Sequence, residues 1–313
     1  MHFARCSSVS RDVAVKLLLL TGMLVANAVL IVTLGLTFPV GDAVRPLLIT
    51  TILSAAGLYY LRKREPGFVM CLVSLAFLVA FTAAYTVLMY SIAAINRPLA
   101  DPSLVQLDRF FGIRIDEIFA WALRHPLVGA TLAIAYSTVI YQTAATVVVL
   151  GFTNQRRELE GFVLQFMLTT LVSAAFFVVL PADGPFVAYG YQPNDAQTRF
   201  LNDFHAMRSG ERRLVTWRNA EGLITCPSFH TTWAILLAWA FRHQRRLRWL
   251  VLLLNCAVVA STMTTGWHYF ADVISGGLLA AAGIAATWRM ESWLYAPDGS
   301  PRRLRFTRPA ATA

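Results

Sequence analysis

Charge is scarce in this chain. Only 14% of its 313 residues are Asp, Glu, Lys or Arg, where a water-soluble domain carries nearer a quarter, so a globular fold kept in solution by a charged surface is excluded. Cysteine is scarcer still, at four. Cys71 and Cys256 fall inside apolar runs, Cys6 in the N-terminal segment, and Cys226 alone lies near a polar stretch, so no disulfide framework is expected. Acidic residues number 17 against 27 basic ones, for a net charge of +10. That excess is spread over short segments between apolar runs. No basic, aromatic-interleaved domain exists, which excludes nucleic acid as a partner. Internal repeats and low-complexity segments are absent as well.

What is abundant is apolar: 57% of the residues, with a mean hydropathy of +0.57. Several uninterrupted runs approach or exceed the 18 residues that mark a transmembrane helix. In lipid every backbone polar group has to be satisfied within its own segment. The expectation is an all-α, polytopic membrane helix bundle of about eight spans, over 17–38, 47–61, 68–95, 127–152, 162–180, 228–241, 249–265 and 269–288. The basic start, the first apolar run and Ala26-Asn27-Ala28 resemble a cleavable signal. Apolar residues continue well past that tripeptide, however, and a retained helix is expected.

Two polar intervals stand out. In 96–125 an amphipathic helix over 107–123 is expected to lie on the membrane or to pack as a surface helix. The interval 182–225 is the longest. The chain divides into N-terminal spans (1–95), a loop (96–125), a core (126–290) and a basic tail (291–313). Arginines and acids balance within each long interval, four against four and five against five, whereas the N-terminal segment, the turns at 62–65 and 242–248 and the tail hold the positive excess. By the positive-inside rule both termini are cytoplasmic and the two long intervals face out.

Function is written most densely between Thr225 and Gly277. This stretch opens with Cys226-Pro227-Ser228-Phe229-His230 and closes with Gly266-Trp267-His268-Tyr269-Phe270-Ala271-Asp272. Two apolar runs with a basic knot between them return both histidines to one side of the membrane. The run 228–241 spans roughly 21 Å as a helix, against a hydrocarbon core of about 30 Å, so Ser228 and His230 sit near headgroup depth. Pro227 and Ser228 make a helix start, whose free N–H groups suit a phosphate. His268 and Asp272 are four apart and share a helix face. The carboxylate is expected to accept the Nδ1 proton and direct Nε2 at a substrate, with His230 protonating a leaving oxygen.

Other readings of these residues exist. Cys226/His230 and His268/Asp272 are two i,i+4 pairs that could ligate a metal in an intramembrane metalloenzyme. A non-enzymatic lipid transporter or scaffold is a third class. Ser228 reads also as a plain cap and Ser261 as bonded within its helix. Asp183 reads as a turn residue and His205 as a surface one, while Trp217, Trp267, Tyr189, Tyr191 and Tyr269 read as an interfacial belt.

The two histidine segments resemble signatures of the type-2 phosphatidic acid phosphatase (lipid phosphate phosphatase) superfamily. Pro227-Ser228-Phe229-His230 is similar to its Pro-Ser-x-His signature. Ser261 through Asp272 is similar to Ser-Arg-x5-His-x3-Asp, with His268 seven after Ser261. The surrounding wording is most similar to the branch of inositol phosphorylceramide synthases (inositolphosphotransferases) and their bacterial relatives. That resemblance, over about 125–290, implies a six-helix catalytic core and a metal-independent, cofactor-free phosphatase or phosphotransferase of lipid phosphates in a bacterial inner membrane. It implies His268 as the nucleophile that forms a phosphohistidine, Asp272 as its orienting carboxylate and His230 as acid, then base. The chain departs from the pattern at Thr262, where the signature has arginine, and in lacking Lys-x6-Arg-Pro after the fifth span. Arg208 is the expected replacement phosphate ligand, with Arg212 and Arg213 in reserve and Ser228 and Ser261 as further contacts. Hydrolysis and transfer are not separable from the motifs, nor is the oligomeric state.

Overall fold

The computed structural model describes residues 6–217 and 220–294; among them the chain folds into thirteen helices, with one isolated backbone bridge between Thr37 and Leu214. Three long helices come first: α1 (Cys6–Thr33), α2 (Val40–Lys63) and α3 (Pro66–Ala93). The interval after them forms α4 (Asp101–Phe110) and α5 (Ile115–Arg124), followed by α6 (Pro126–Ser137), α7 (Val139–Phe152) and the long α8 (Arg156–Val179). The second interval holds α9 (Pro185–Ala188) and α10 (Asp195–Ser209), and the chain closes with α11 (Phe229–Ala240), α12 (Arg248–Thr264) and α13 (Phe270–Leu294).

Among the described residues α1, α2, α3, α8 and α13 are each long and apolar enough to cross a membrane. α1 and α2 turn Leu18, Val32, Leu47 and Leu58 outward, the surface a lipid-facing helix presents. The protein is an integral membrane protein of the all-α helix-bundle class.

The remaining expected spans are built from shorter helices packed against the long ones. α6 and α7 are parted by the single residue Thr138. Its N–H and its hydroxyl both turn to Ala135 O, and it accepts from Gln142 Nε2, which breaks the i→i−4 ladder. Gln142 Oε1 accepts from Asn255 Nδ2 on α12 at 2.8 Å, an interhelical bond of the kind that joins helices where apolar contacts alone discriminate little. α12 packs on α6 and α11, and α11 on α13 and α8.

The helix expected over 107–123 is two helices. Gly112, at φ +70°, adopts a left-handed conformation that glycine tolerates without strain and turns the chain between α4 and α5. α4 does not float on a membrane surface: Leu104 and Asp108 are buried, and α4 touches α13 and α9. α5 meets α6 at a bend of 113°.

The long loop is pinned to the N-terminal helices. Thr37 N–H donates to Arg213 O and Val215 N–H to Thr37 O. Trp217 Nε1 donates to Ala83 O, and Tyr90 links Asp203 to the Glu221 N–H. Because this loop folds back over the end of the bundle, the aromatic residues expected as an interfacial belt pack inward. Trp217 lies on Phe38, Trp267 between Phe186 and Phe200, and Tyr189 and Phe119 on Tyr191; Tyr269 is fully buried.

Candidate active site

His230 is the second residue of α11, and His268 sits in the turn between α12 and α13. Backbone contacts hold these segments together. Ser228 N–H donates to Asp272 O at 3.0 Å, and Thr232 Oγ1 donates to Gly276 O at 2.9 Å. Gly276 allows that approach, since a Cβ there would lie 2.4 Å from Ser228 O. The imidazole centroids come to 6.2 Å, with the rings tilted 53°.

His268 is buried, and its Nδ1 lies 2.8 Å from Thr225 O. A carbonyl oxygen only accepts, so Nδ1 carries the proton and Nε2 keeps its lone pair. Asp272 Oδ2 is 3.6 Å from Nδ1, beyond hydrogen-bond range. The expected Asp272–His268 hydrogen bond is therefore a bond to Thr225 instead. The cause is local: Asp272 is the third residue of α13, and its Oδ2 reaches back to the Tyr269 N–H at 2.9 Å, as in one half of a capping box. The carboxylate still neighbours the ring as a charge. Its other oxygen, Oδ1, has no hydrogen-bond donor among the described residues. Burial, and then the Asp272 carboxylate, push the Cys226 thiol up.

His230 is held from another direction. Tyr136 Oη lies 3.0 Å from Nδ1, and the two rings stack at 4.0 Å. A phenol both donates and accepts, so this partner suits either protonation state of His230 and leaves Nε2 for other contacts.

Two aspartates from α4 set the surroundings. Asp108, fully buried, accepts from the N–H groups of Phe270 (3.0 Å) and Ala271 (2.8 Å), so α13 has its first donors occupied by α4. Burial pushes the Asp108 carboxyl up, and the two N–H groups oppose this. Asp101 accepts from the N–H groups of Asp183 and Gly184 and from Tyr269 Oη at 2.8–2.9 Å. Thr225 Oγ1 donates to Ala182 O. The turn at 181–185, α4, the start of α13 and the acceptor of His268 thus form one network. By contrast the N–H groups of Phe229 and His230, in the first turn of α11, meet no acceptor among the described residues.

The remaining candidates are distributed as follows. Ser228 is fully buried as the N-cap of α11, accepting from the Thr231 N–H and hydroxyl. Ser261, also fully buried, donates to Val258 O within its own helix. Arg208 donates to Arg97 O and covers the Phe204 ring; burial lowers its pKa, while Asp183 and Asp101 act against that. Arg212 pairs with Asp203 over the Tyr90 ring, and Arg213 donates to Leu34 O. None of these arginines contacts either histidine among the described residues. His205 Nε2 meets Asp183 Oδ1 at 2.9 Å; burial raises the Asp183 carboxyl, and the His205 charge opposes that shift. Among the described residues no group of three or more metal-ligating side chains forms.

Tyr136, Thr225, Asp101 and Asp108 were not singled out by the motifs. Tyr136 belongs to no motif in its apolar run, and Thr225 acts through its backbone. Asp101 and Asp108 lie seven apart, two turns along one face of α4, and that spacing was the available signal.

The model of the PAP2 superfamily matches residues 102–286, from the start of α4 through most of α13. No curated protein matches the chain, and no solved structure does. The matched segment contains both histidines, Asp272 and Asp108, begins one residue after Asp101, and covers more than half of the sequence. The chain belongs to the PAP2 superfamily.

Proposed function

We propose that this phosphatase- or phosphotransferase-type membrane protein acts on lipid phosphates through a phosphohistidine on His268, without metal or cofactor. The observation that carries the reading is the His268 Nδ1–Thr225 carbonyl bond, since it leaves Nε2 as the nitrogen able to attack phosphorus. The Nε2 lone pair forms the N–P bond as the P–O bond to the leaving group breaks, and His230 gives its Nε2 proton to the departing oxygen. Water or an acceptor hydroxyl then attacks phosphorus, its proton passes to His230, and the N–P bond breaks. Asp272 stabilises the positive charge on the phosphorylated ring from 3.6 Å, and the Tyr136 hydroxyl serves both states of His230.

The non-bridging oxygens need donors. The free N–H groups of Phe229 and His230, with the partial positive charge of the α11 terminus, fit that need where the chain departs from the family's arginine. Ser228 holds this terminus in shape. Of the three arginines, Arg208 enters this reading, because its charge lies beside Asp183 and Asp101 at the turn that joins Thr225. The charge distribution supports both termini in the cytoplasm and the histidines at the outer rim of the membrane; the resemblance to bacterial relatives supports a bacterial inner membrane.

The test is a panel of lipid phosphates incubated with the purified protein, with and without hydroxyl acceptors and with a chelator present. Mass analysis of lipid products against free phosphate separates transfer, expected for a member resembling the inositol phosphorylceramide synthase branch, from hydrolysis. His268→Ala is expected to abolish both in a protein of unchanged Tm. Activity that survives this substitution, or that the chelator removes, would sink the proposal.

A further inference from the structure

At the end of the bundle away from the histidines, a cavity of about 710 Å³ opens between α1, the α2–α3 turn and the α7–α8 turn. α8 separates the two ends by its 24 residues, roughly 36 Å at 1.5 Å per residue. Most of the residues lining the cavity precede residue 102, where the family match begins. It is therefore built mainly by the N-terminal helices, with Asn154, Arg156 and Glu160 contributed from the matched segment.

Its polar wall holds two half-satisfied carboxylates. Asp12, 2% exposed, pairs Oδ2 with Lys16 Nζ at 2.6 Å. Lys16 is itself buried, with Nζ 5.7 Å from the centre of the Phe77 ring. Glu160 pairs Oε1 with Arg156 Nε at 2.6 Å. The second oxygens, Asp12 Oδ1 and Glu160 Oε2, are buried and have no hydrogen-bond donor among the described residues. Leaving a buried carboxylate oxygen unpaired is expensive, and both of these residues line one cavity.

Leu61, Val69 and Val73 give the cavity an apolar portion, and Arg64, Glu65 and Arg156 also line it. Arg64 is exposed in the left-handed cap of α2. The cavity lies where α1, α2, α3 and α8 begin or end as apolar spans, the level at which lipid headgroups sit. A ligand that matches all three features carries N–H donors for the carboxylates, an anionic group for the arginines and an apolar portion for the remaining wall. A quaternary ammonium has no N–H to give.

We propose that this cavity binds a phospholipid with a primary-amine headgroup from the leaflet opposite the histidines. The ammonium lies between the Asp12 and Glu160 side chains, the phosphate faces Arg64 and Arg156, and the acyl chains leave along Val69 and Val73.

Delipidated full-length protein in detergent, titrated with phosphatidylethanolamine, phosphatidylcholine and phosphatidylglycerol of identical chains, tests this by native mass spectrometry and Tm. Phosphatidylethanolamine is expected to bind at least about tenfold more tightly than the other two and to raise Tm. Glu160→Gln is expected to weaken it about tenfold, and Val69→Trp, which fills the apolar wall, to abolish retention. Asp12→Asn tests the second carboxylate where it folds. Equal retention of the choline or glycerol lipid overturns the proposal, as does unchanged ethanolamine-lipid binding in both Glu160→Gln and Val69→Trp. Glycerophosphoethanolamine binding as tightly as the intact lipid would show a soluble ligand instead. All of these readouts are independent of catalysis, so a failed phosphoryl-transfer assay leaves them standing.

Discussion

In the proposed mechanism Asp272 has two jobs that substitution can separate. Its Oδ2 accepts the Tyr269 N–H, which a neutral amide oxygen can also do, while its charge beside His268 needs the carboxylate. Asp272→Asn is therefore expected to keep Tm near the parent value and to slow phosphoryl transfer about a hundredfold, the scale of one lost electrostatic contact to a developing charge. Asp272→Ala is expected to lose the cap as well and to lower Tm. If the amide variant unfolds as readily as the alanine one, the division of labour is wrong. At His230 the corresponding probe is Tyr136→Phe, which keeps the stacked ring and removes one neutral hydrogen bond. Such bonds contribute about 1 kcal/mol, so kcat is expected to fall about fivefold with KM unchanged; a change confined to KM counts against a role in the proton steps. The histidines were legible because their spacing and flanking residues are unusual. Thr225 was hidden because its contribution is a main-chain carbonyl, and the spacing of His268 and Asp272 pointed to a bond that the capping geometry diverts.

Between elements, the site depends on how closely α13 approaches the start of α11. Gly276 and Gly277 are neighbours, yet their surroundings differ. A Cβ at Gly276 would meet the Ser228 carbonyl oxygen at 2.4 Å, whereas one at Gly277 finds only the tip of Ile235 at 3.8 Å. Gly276→Ala must push the helices apart at the residue that caps α11 and leads to His230. Overpacking of this kind costs about 1–3 kcal/mol, and the expected result is a lower Tm with most activity lost. Gly277→Ala is expected to match the parent in both. Equal tolerance of the two substitutions, measured side by side, would mean that this contact does not set the histidine spacing. Helix positions were readable from apolar runs, but their breaks were not. Thr138 interrupts α6–α7 through a hydrogen bond that any threonine can make in a helix, and Gly112 divides 107–123 within a pattern whose apolar periodicity looks continuous. The stretch 107–123 reads from sequence as an amphipathic or packed surface helix because its aspartates are charged. The Asp108 and Asp101 carboxylates of α4 instead take up the free N–H groups of α13 and of the turn at 181–185, a pairing between segments more than eighty residues apart for Asp101 and the turn.

Across the whole molecule, connectivity puts the C-terminal ends of α3, α8 and α12 and the N-terminal ends of α11 and α13 beside the two long loops. The turns at 62–65, 154–156 and 242–248 then belong to the other end, together with the beginning of α1. We propose that this second end is cytoplasmic, since the turn at 242–248 alone has four arginines and no acid, while the loops balance theirs. Glu211 and Arg245 are both exposed, on the loop and on the basic turn respectively. Glu211→Cys and Arg245→Cys, each introduced into a background without Cys6, Cys71, Cys226 and Cys256, report the two ends separately. In intact cells a membrane-impermeant maleimide is expected to label position 211 and to reach position 245 only after permeabilisation. The opposite pattern would turn the histidines toward the cytoplasm and give the enzyme inner-leaflet lipid phosphates as substrates. It would also move the amine-lipid cavity to the outer leaflet, because the length of α8 keeps the two sites at opposite ends whichever way the bundle is inserted.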